Sequence, residues 1–194
     1  YSLRLGFGLY LLLLNLKNVI IICPGFHPPQ LTEDFITAIG LFNPPLNGWV
    51  VPNTIAPYNV IDIYHWLAQT LNPTTTALSF VGFSAGVVGA IATALVWQQQ
   101  GGIVNSLIAV DGWGVPKLGS FPIYRVSHDP FTHFTSGLHG QQNFYCVPEV
   151  SHLKLWQSPD TAWGWWEVKS GCWVRCSAAK MINEVLIANH QSSG

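Results

Sequence analysis

The sequence predicts an α/β fold built on a single doubly wound, mostly parallel sheet of about six strands. Short apolar, β-branched runs recur along the chain without polar alternation, as in strands covered on both faces. Helix-length stretches fall between most of them, which implies right-handed crossovers. The 194 residues are 49% hydrophobic and only 9% charged, a composition suited to one large core and opposite to that of disordered chains.

In chain order, residues 1–17 form an N-terminal apolar segment and residues 18–194 the α/β domain. "LGFGLYLLLLNL" (Leu5–Leu16) is shorter than the roughly 20 residues a bilayer requires, and no small-x-small cleavage pattern follows it. It reads as a leading strand or a loosely attached segment. Six strands are expected, at Asn18–Pro24, Trp49–Asn53, Ala77–Phe83, Ser106–Gly112, Ile123–Ser127 and Phe144–Pro148. Helices are expected over "TEDFITAIG", capped by Thr32 and ended by Gly40, and over Ile61–Leu71. Another runs from Ala85 to the glycines at 101 and 102. The last starts at a Ser177 cap and carries a Met181, Ile182, Val185, Leu186 stripe. The Asp111–Phe121 connection, "DGWGVPKLGSF", is barely long enough for a crossover. Either a minimal loop makes the crossing or one of its flanking strands is misread.

The formal net charge is −1, with Lys and Arg scattered, which excludes the basic footprint of a nucleic-acid binder. Cys23, Cys146, Cys172 and Cys176 lack the spacing of a disulfide framework and read as unpaired thiols of a reducing compartment, the cytoplasm or a plastid stroma.

Gly82-Phe83-Ser84-Ala85-Gly86 carries the chemistry. G-x-S-x-G between a strand and a helix lifts the serine hydroxyl above the sheet edge, and glycines two before and two after allow the close approach that the reversal demands. Free N–H groups at the helix start point to the Ala85 amide as one oxyanion donor. "CPGFH", at the end of the first strand, offers the Phe26 amide as the second. His27, Phe83, Trp113 and Trp156 are the expected substrate contacts.

A serine hydroxyl needs a base. Serines of this kind are followed by the acid and then the histidine. His152, in "FYCVPEVSHLKLW", follows the last strand at the edge where parallel sheets bind ligands. Asp111, Asp129 and Glu149 lie between Ser84 and His152, and Glu149 is too near His152 to reach it from a separate loop. Asp129 is preferred because it sits one strand nearer the histidine. Asp111, in an Asp-Gly turn, is the alternative. His128, His133 and His139 gather near Asp129, but H-D-x3-H matches no metal-ligand spacing, so neither metal nor cofactor is expected. Five of the nine tryptophans lie between Trp156 and Trp173. Packing against the last helix is the favoured reading over an acyl-pocket floor or a docking surface.

These residues resemble the α/β-hydrolase superfamily. "IIICPGFH" is similar to its oxyanion strand and loop, "FVGFSAG" to its nucleophile elbow, and "RVSHD" and "VPEVSHLKLW" to its acid and histidine loops. "SHDPFTHF" also resembles a segment of small hydrolase-like proteins from cyanobacteria and plastid-bearing organisms. The resemblance covers about Asn18 to His190. It implies a minimal hydrolase core with little or no lid, since only "GWGVPKLGS" stands where a lid is usual. It further implies hydrolysis of a small-molecule ester or thioester through an acyl-enzyme, with no nucleic-acid or membrane partner. The rival readings are a catalytically silent binding or scaffold module on the same fold, and an acyltransferase.

Overall fold

A computed structural model describes residues 16–41, 47–112, 119–135 and 143–191. Among these, eight strands form one mixed sheet: β1 (Lys17–Cys23), β2 (Gly48–Val50), β3 (Thr76–Phe83), β4 (Ile103–Val110), β5 (Ile123–Ser127), β6 (Phe144–Cys146), β7 (Trp163–Lys169) and β8 (Cys172–Ser177). Their spatial order is β2-β1-β3-β4-β5-β6-β7-β8. The first six are parallel, and β7 and β8 add an antiparallel hairpin at one edge. Six helices accompany them: α1 (Pro29–Ala38), α2 (Val60–Ala68), α3 (Ala85–Gln99), α4 (Pro130–Thr135), α5 (His152–Gln157) and α6 (Ala178–Gln191).

The central strands read as continuous apolar runs because both of their faces are covered. Ile20 and Ile22 of β1, Val81 and Phe83 of β3 and Ile108 and Val110 of β4 pack against α1, α5 and α6. The alternate residues, among them Val19, Ile21, Leu78, Phe80 and Leu107, pack against α2 and α3. Each fully buried Ile, Leu or Phe contributes about 2 kcal/mol. The small-residue face of α3 is a steric requirement. A Cβ on Gly89 would overlap the carbonyl oxygen of Pro57, and one on Gly86 would overlap those of Cys23 and Pro24.

The sheet exceeds the expected six strands by the hairpin. Gly171, at φ 74°, makes its turn, and Lys169 pairs with Cys172 across it. One face of the hairpin packs Trp166 and Cys176 into the α6 core. The other leaves Trp163, Trp165 and Trp173 at 50%, 38% and 39% exposure. The tryptophans therefore divide between core and surface, where packing against the last helix was the favoured reading. All four cysteines are free thiols.

Helix ends shift where proline or a better cap decides them. Pro29 starts α1 and Thr32 sits buried inside the helix, because a proline at the first helical position carries the φ that a helix needs. Asn59, whose side chain accepts from the Asp62 N–H, starts α2. Ser177 does cap α6, accepting from the Lys180 N–H at 3.3 Å. β4 and β5 are adjacent and parallel, so both strand readings flanking the short connection hold. Residues 113–118 of that connection, the leucine run through residue 15, and Trp113 and His139 lie outside the described residues. Among the described residues no helix is long and apolar enough to cross a membrane.

The order of strands fixes where a site can form. The chain leaves β1 toward β2 on one side and returns to β3 on the other. α1 therefore packs on one face of the sheet and α3 on the opposite face. Loops that diverge in this way open a crevice at the carboxyl ends of β1 and β3. Cys23 and Phe83 end those two strands, with Pro24-Gly25-Phe26 and Ser84 immediately beyond.

Candidate active site

Ser84 stands between the last residue of β3 and the first of α3 with φ 52° and ψ −122°. A non-glycine residue reaches positive φ only when its surroundings impose it, and here they do. The Ser84 N–H donates to Val110 O at 2.9 Å, and Ser84 O accepts from the Val87 N–H at 3.1 Å. Glycines flank the turn because nothing larger fits. A Cβ on Gly82 would lie 2.9 Å from Val87 Cα, and one on Gly25 would lie 3.1 Å from Ser84 Cβ. The Pro24–Phe26 loop thus runs directly beside the serine. The loop that carries Phe26 and the helix start at Ala85 both adjoin Ser84.

Ser84, Ala85, Asp111, His128, Phe131, Thr132 and His152 line one open cleft of about 540 Å³. His152 begins α5, whose start is capped by Ser151 accepting from the Lys154 N–H. Its ring stacks on Phe83 at 4.6 Å between centroids. Trp156 stacks on Phe83 at 4.8 Å, and Phe35 on Trp156 at 3.7 Å. This aromatic column fixes the plane of the imidazole. Phe83 and Trp156 are 1% and 0% exposed. Both were expected to contact substrate, but they are instead core residues that hold His152 from behind. His27 edges onto Phe83 at 5.5 Å and lines a second cavity described below.

Of the two candidate carboxylates, the alternative Asp111 rather than the preferred Asp129 meets His152. His152 Nδ1 lies 2.8 Å from Asp111 Oδ2, so Asp111, not Asp129, is bonded to the imidazole. Asp111 immediately follows β4 at φ 49° with its side chain 2% exposed. Its other oxygen, Oδ1, accepts the His128 backbone N–H at 2.9 Å. A buried carboxylate bonded at both oxygens is held in one orientation and can stabilise an imidazolium.

Asp129 is engaged elsewhere. It caps the start of α4, accepting the Thr132 N–H and the Thr132 hydroxyl, each at 2.7 Å. His128 Nε2 lies 2.6 Å from its Oδ2. Burial pushes the Asp129 carboxyl up, but the Thr132 hydrogen bonds, the charge of His128 and the Phe131 N–H together hold it below the usual carboxylate range. Asp129 is therefore a fixed carboxylate that anchors His128. Sequence reasoning did not identify His128 as a member of the site, although "SHD" placed it beside a candidate acid. His133 packs against Tyr145 in a tilted ring contact and is not among the groups that line the cleft.

A second cavity, of about 440 Å³, lies against the far side of the Pro24–Phe26 loop. Cys23, Phe26, Ile36, Val51, Ala56 and Ile63 give it a mainly apolar wall, and His27 and Glu33 bring polar groups. Gly25 is common to this cavity and to the packing around Ser84.

Cys23 and Cys146 are buried thiols. Burial pushes Cys23 up to about 12. Burial, then the charges of Asp111 and Asp129, pushes Cys146 up to about 12. Thiolate is the reactive form. Iodoacetamide at pH 8 is therefore expected to modify exposed Cys172 first, with Cys23 and Cys146 modified only on unfolding. Mass mapping of the native and urea-treated protein checks this, and rapid native labelling of Cys146 would refute it.

The chain matches no protein-family model and no curated protein. Its fold and site define a class of arrangement: an α/β protein with a serine on a strained strand–helix turn and a histidine–aspartate pair facing the same cleft.

Proposed function

We propose that the protein is a serine hydrolase acting on carboxylic esters or thioesters. The observation that carries this reading is the His152–Asp111 hydrogen bond, beside a cleft that also exposes Ser84 at positive φ. The resemblance to α/β-hydrolases at "FVGFSAG" and "VPEVSHLKLW" supports it. In this mechanism His152 Nε2 accepts the Ser84 hydroxyl proton as Oγ attacks the substrate carbonyl. The oxyanion forms against the Ala85 and Phe26 amides. His152 then returns the proton to the departing alkoxide or thiolate, leaving an acyl-serine. Water, deprotonated by the same nitrogen, displaces the acid and regenerates Ser84. Throughout, Asp111 accepts the Nδ1–H and stabilises the transient imidazolium.

The apolar cavity beside the Pro24–Phe26 loop is the best acyl receptacle, since it adjoins the oxyanion loop and its volume lies in the range of small-molecule sites. The test is a fluorophosphonate probe, which labels the wild type at Ser84 and does not label Ser84→Ala. A folded wild type that resists the probe would return the chain to the class of silent binding modules. With p-nitrophenyl esters of rising length, kcat/KM should climb from acetate to medium chains and then fall. A flat profile would count against the cavity as the acyl site.

A further inference from the structure

We infer that Asp111, His128 and His152 form a binding site for a divalent transition-metal ion of the Zn²⁺ or Co²⁺ type, and that metal binding and serine catalysis exclude each other. The second half rests on the hydrolase reading; the first does not.

Asp111, His128 and His152 each offer one donor atom, and the three atoms lie within 4.8 Å of one another. Asp111 Oδ2 lies 3.0 Å from His128 Nδ1 and 2.8 Å from His152 Nδ1. Octahedral ligands about 2.1 Å from one ion stand about 3 Å apart and tetrahedral ones about 3.4 Å, so these donors reach a first-row ion by moving a few tenths of an ångström. Two imidazoles and a carboxylate are also the donor types such ions take.

The placement of His128 points the same way. Its Nε2 lies 2.6 Å from Asp129 Oδ2, so Nδ1 is the ring nitrogen turned toward Asp111. That Nδ1 is buried and has no hydrogen-bond partner, although Asp111 Oδ2 is 3.0 Å away. A divalent ion placed between this nitrogen and the Asp111 oxygen would engage both atoms. The neighbouring carboxylate completes the pattern in which a histidine ligand donates its other N–H to an acid, orienting the ring and raising its basicity. The open cleft gives an ion a route in, with the side chains of His152 and His128 41% and 26% exposed.

Metal at His152 Nδ1 has a definite chemical consequence. It takes the position of the Nδ1 proton and leaves the ring proton on Nε2. The nitrogen that must accept from Ser84 then becomes a donor, and Asp111 is diverted from the imidazole to the ion. The protein in this state cannot form an acyl-enzyme.

Isothermal titration of the metal-stripped full chain with Zn²⁺, and visible absorption with Co²⁺, test the site directly. The wild type should bind one equivalent. His128→Asn should weaken binding by about 100-fold or more, and Asp129→Asn, which removes only the outer carboxylate, by about 10- to 100-fold. Circular dichroism confirms that each variant is folded. The absence of saturable binding by the wild type, or equal binding by folded His128→Asn, would overturn the site. For the exclusion, Zn²⁺ should slow fluorophosphonate labelling of the wild type in proportion to occupancy and should have no such effect on His128→Asn. Unslowed labelling of the metal-loaded wild type overturns the exclusion alone. A wild type that never labels defeats the hydrolase reading and leaves the titration to decide the metal site.

Discussion

Asp111→Asn should lower kcat for an activated ester by about four orders of magnitude, the usual consequence of presenting the base in the wrong tautomer, while Asp129→Asn should cost no more than about tenfold. The asymmetry follows from which carboxylate each imidazole meets. His152 Nδ1 is 2.8 Å from Asp111. An amide there offers its carbonyl or its NH₂ to that nitrogen, and the NH₂ orientation would fix the ring proton on Nε2, facing the serine. Asp129 has no such contact with His152. Its two oxygens accept the Thr132 N–H and hydroxyl and face His128. Asp129→Asn should instead lower stability by about 1 kcal/mol through the weakened start of α4, visible as a small fall in Tm. Steady-state kinetics and thermal melts of both variants separate the roles. If Asp129→Asn cripples turnover and Asp111→Asn does not, the geometry described here is not the working one.

That choice shows how far the sequence could be read. The placement of Ser84 on a strained turn was legible because its signal is local: the turn needs small residues at 82 and 86 for steric reasons that the chain itself displays. The placement of His152 beside the same cleft was legible because it follows the last parallel strand. Which carboxylate meets the imidazole was not, because proximity of strands along the sheet does not determine which one turns toward it. A local signal did bear on it. In Asp129-Pro130-Phe131-Thr132 an acidic residue precedes a proline that can only start a helix, so its carboxylate is consumed by capping. Asp111 takes positive φ beside Gly112, and an Asp-Gly pair reads equally as an idle turn. The hairpin was also written in the sequence. Ser170-Gly171 is a two-residue turn signal between "WGWWEVK" and "CWVRCS", and the weight of tryptophan there drew the reading toward core packing. Phe83 and Trp156 were placed in the substrate site because aromatic residues near a nucleophile fit either role, and only burial distinguishes a floor from a backing. The eight-stranded sheet and its six helices are thus an α/β fold of the expected kind with an edge that sequence periodicity alone did not resolve.

Ser84→Ala and His152→Ala should each lower kcat by about six orders of magnitude, and the double variant should fall no further. Groups that act as one unit lose their effect together, since a base without its nucleophile, or a nucleophile without its base, has nothing to activate. The residual rate should then be set by the Ala85 and Phe26 amides and by substrate binding, which neither substitution touches. The structure gives reason to expect the variants to fold. Ser84 holds its turn through backbone bonds to Val110 and Val87, and the alanine retains them, although it inherits the φ of 52°. His152 is partly exposed and stacks on Phe83, so its truncation opens the cleft and leaves the Phe35–Trp156–Phe83 column in place. Equal floors for the three variants, measured by stopped assays at high protein concentration, would establish that serine and histidine work as one device. A double variant falling by the product of the single losses would mean that the two side chains act independently, and the shared cleft would then need another chemistry.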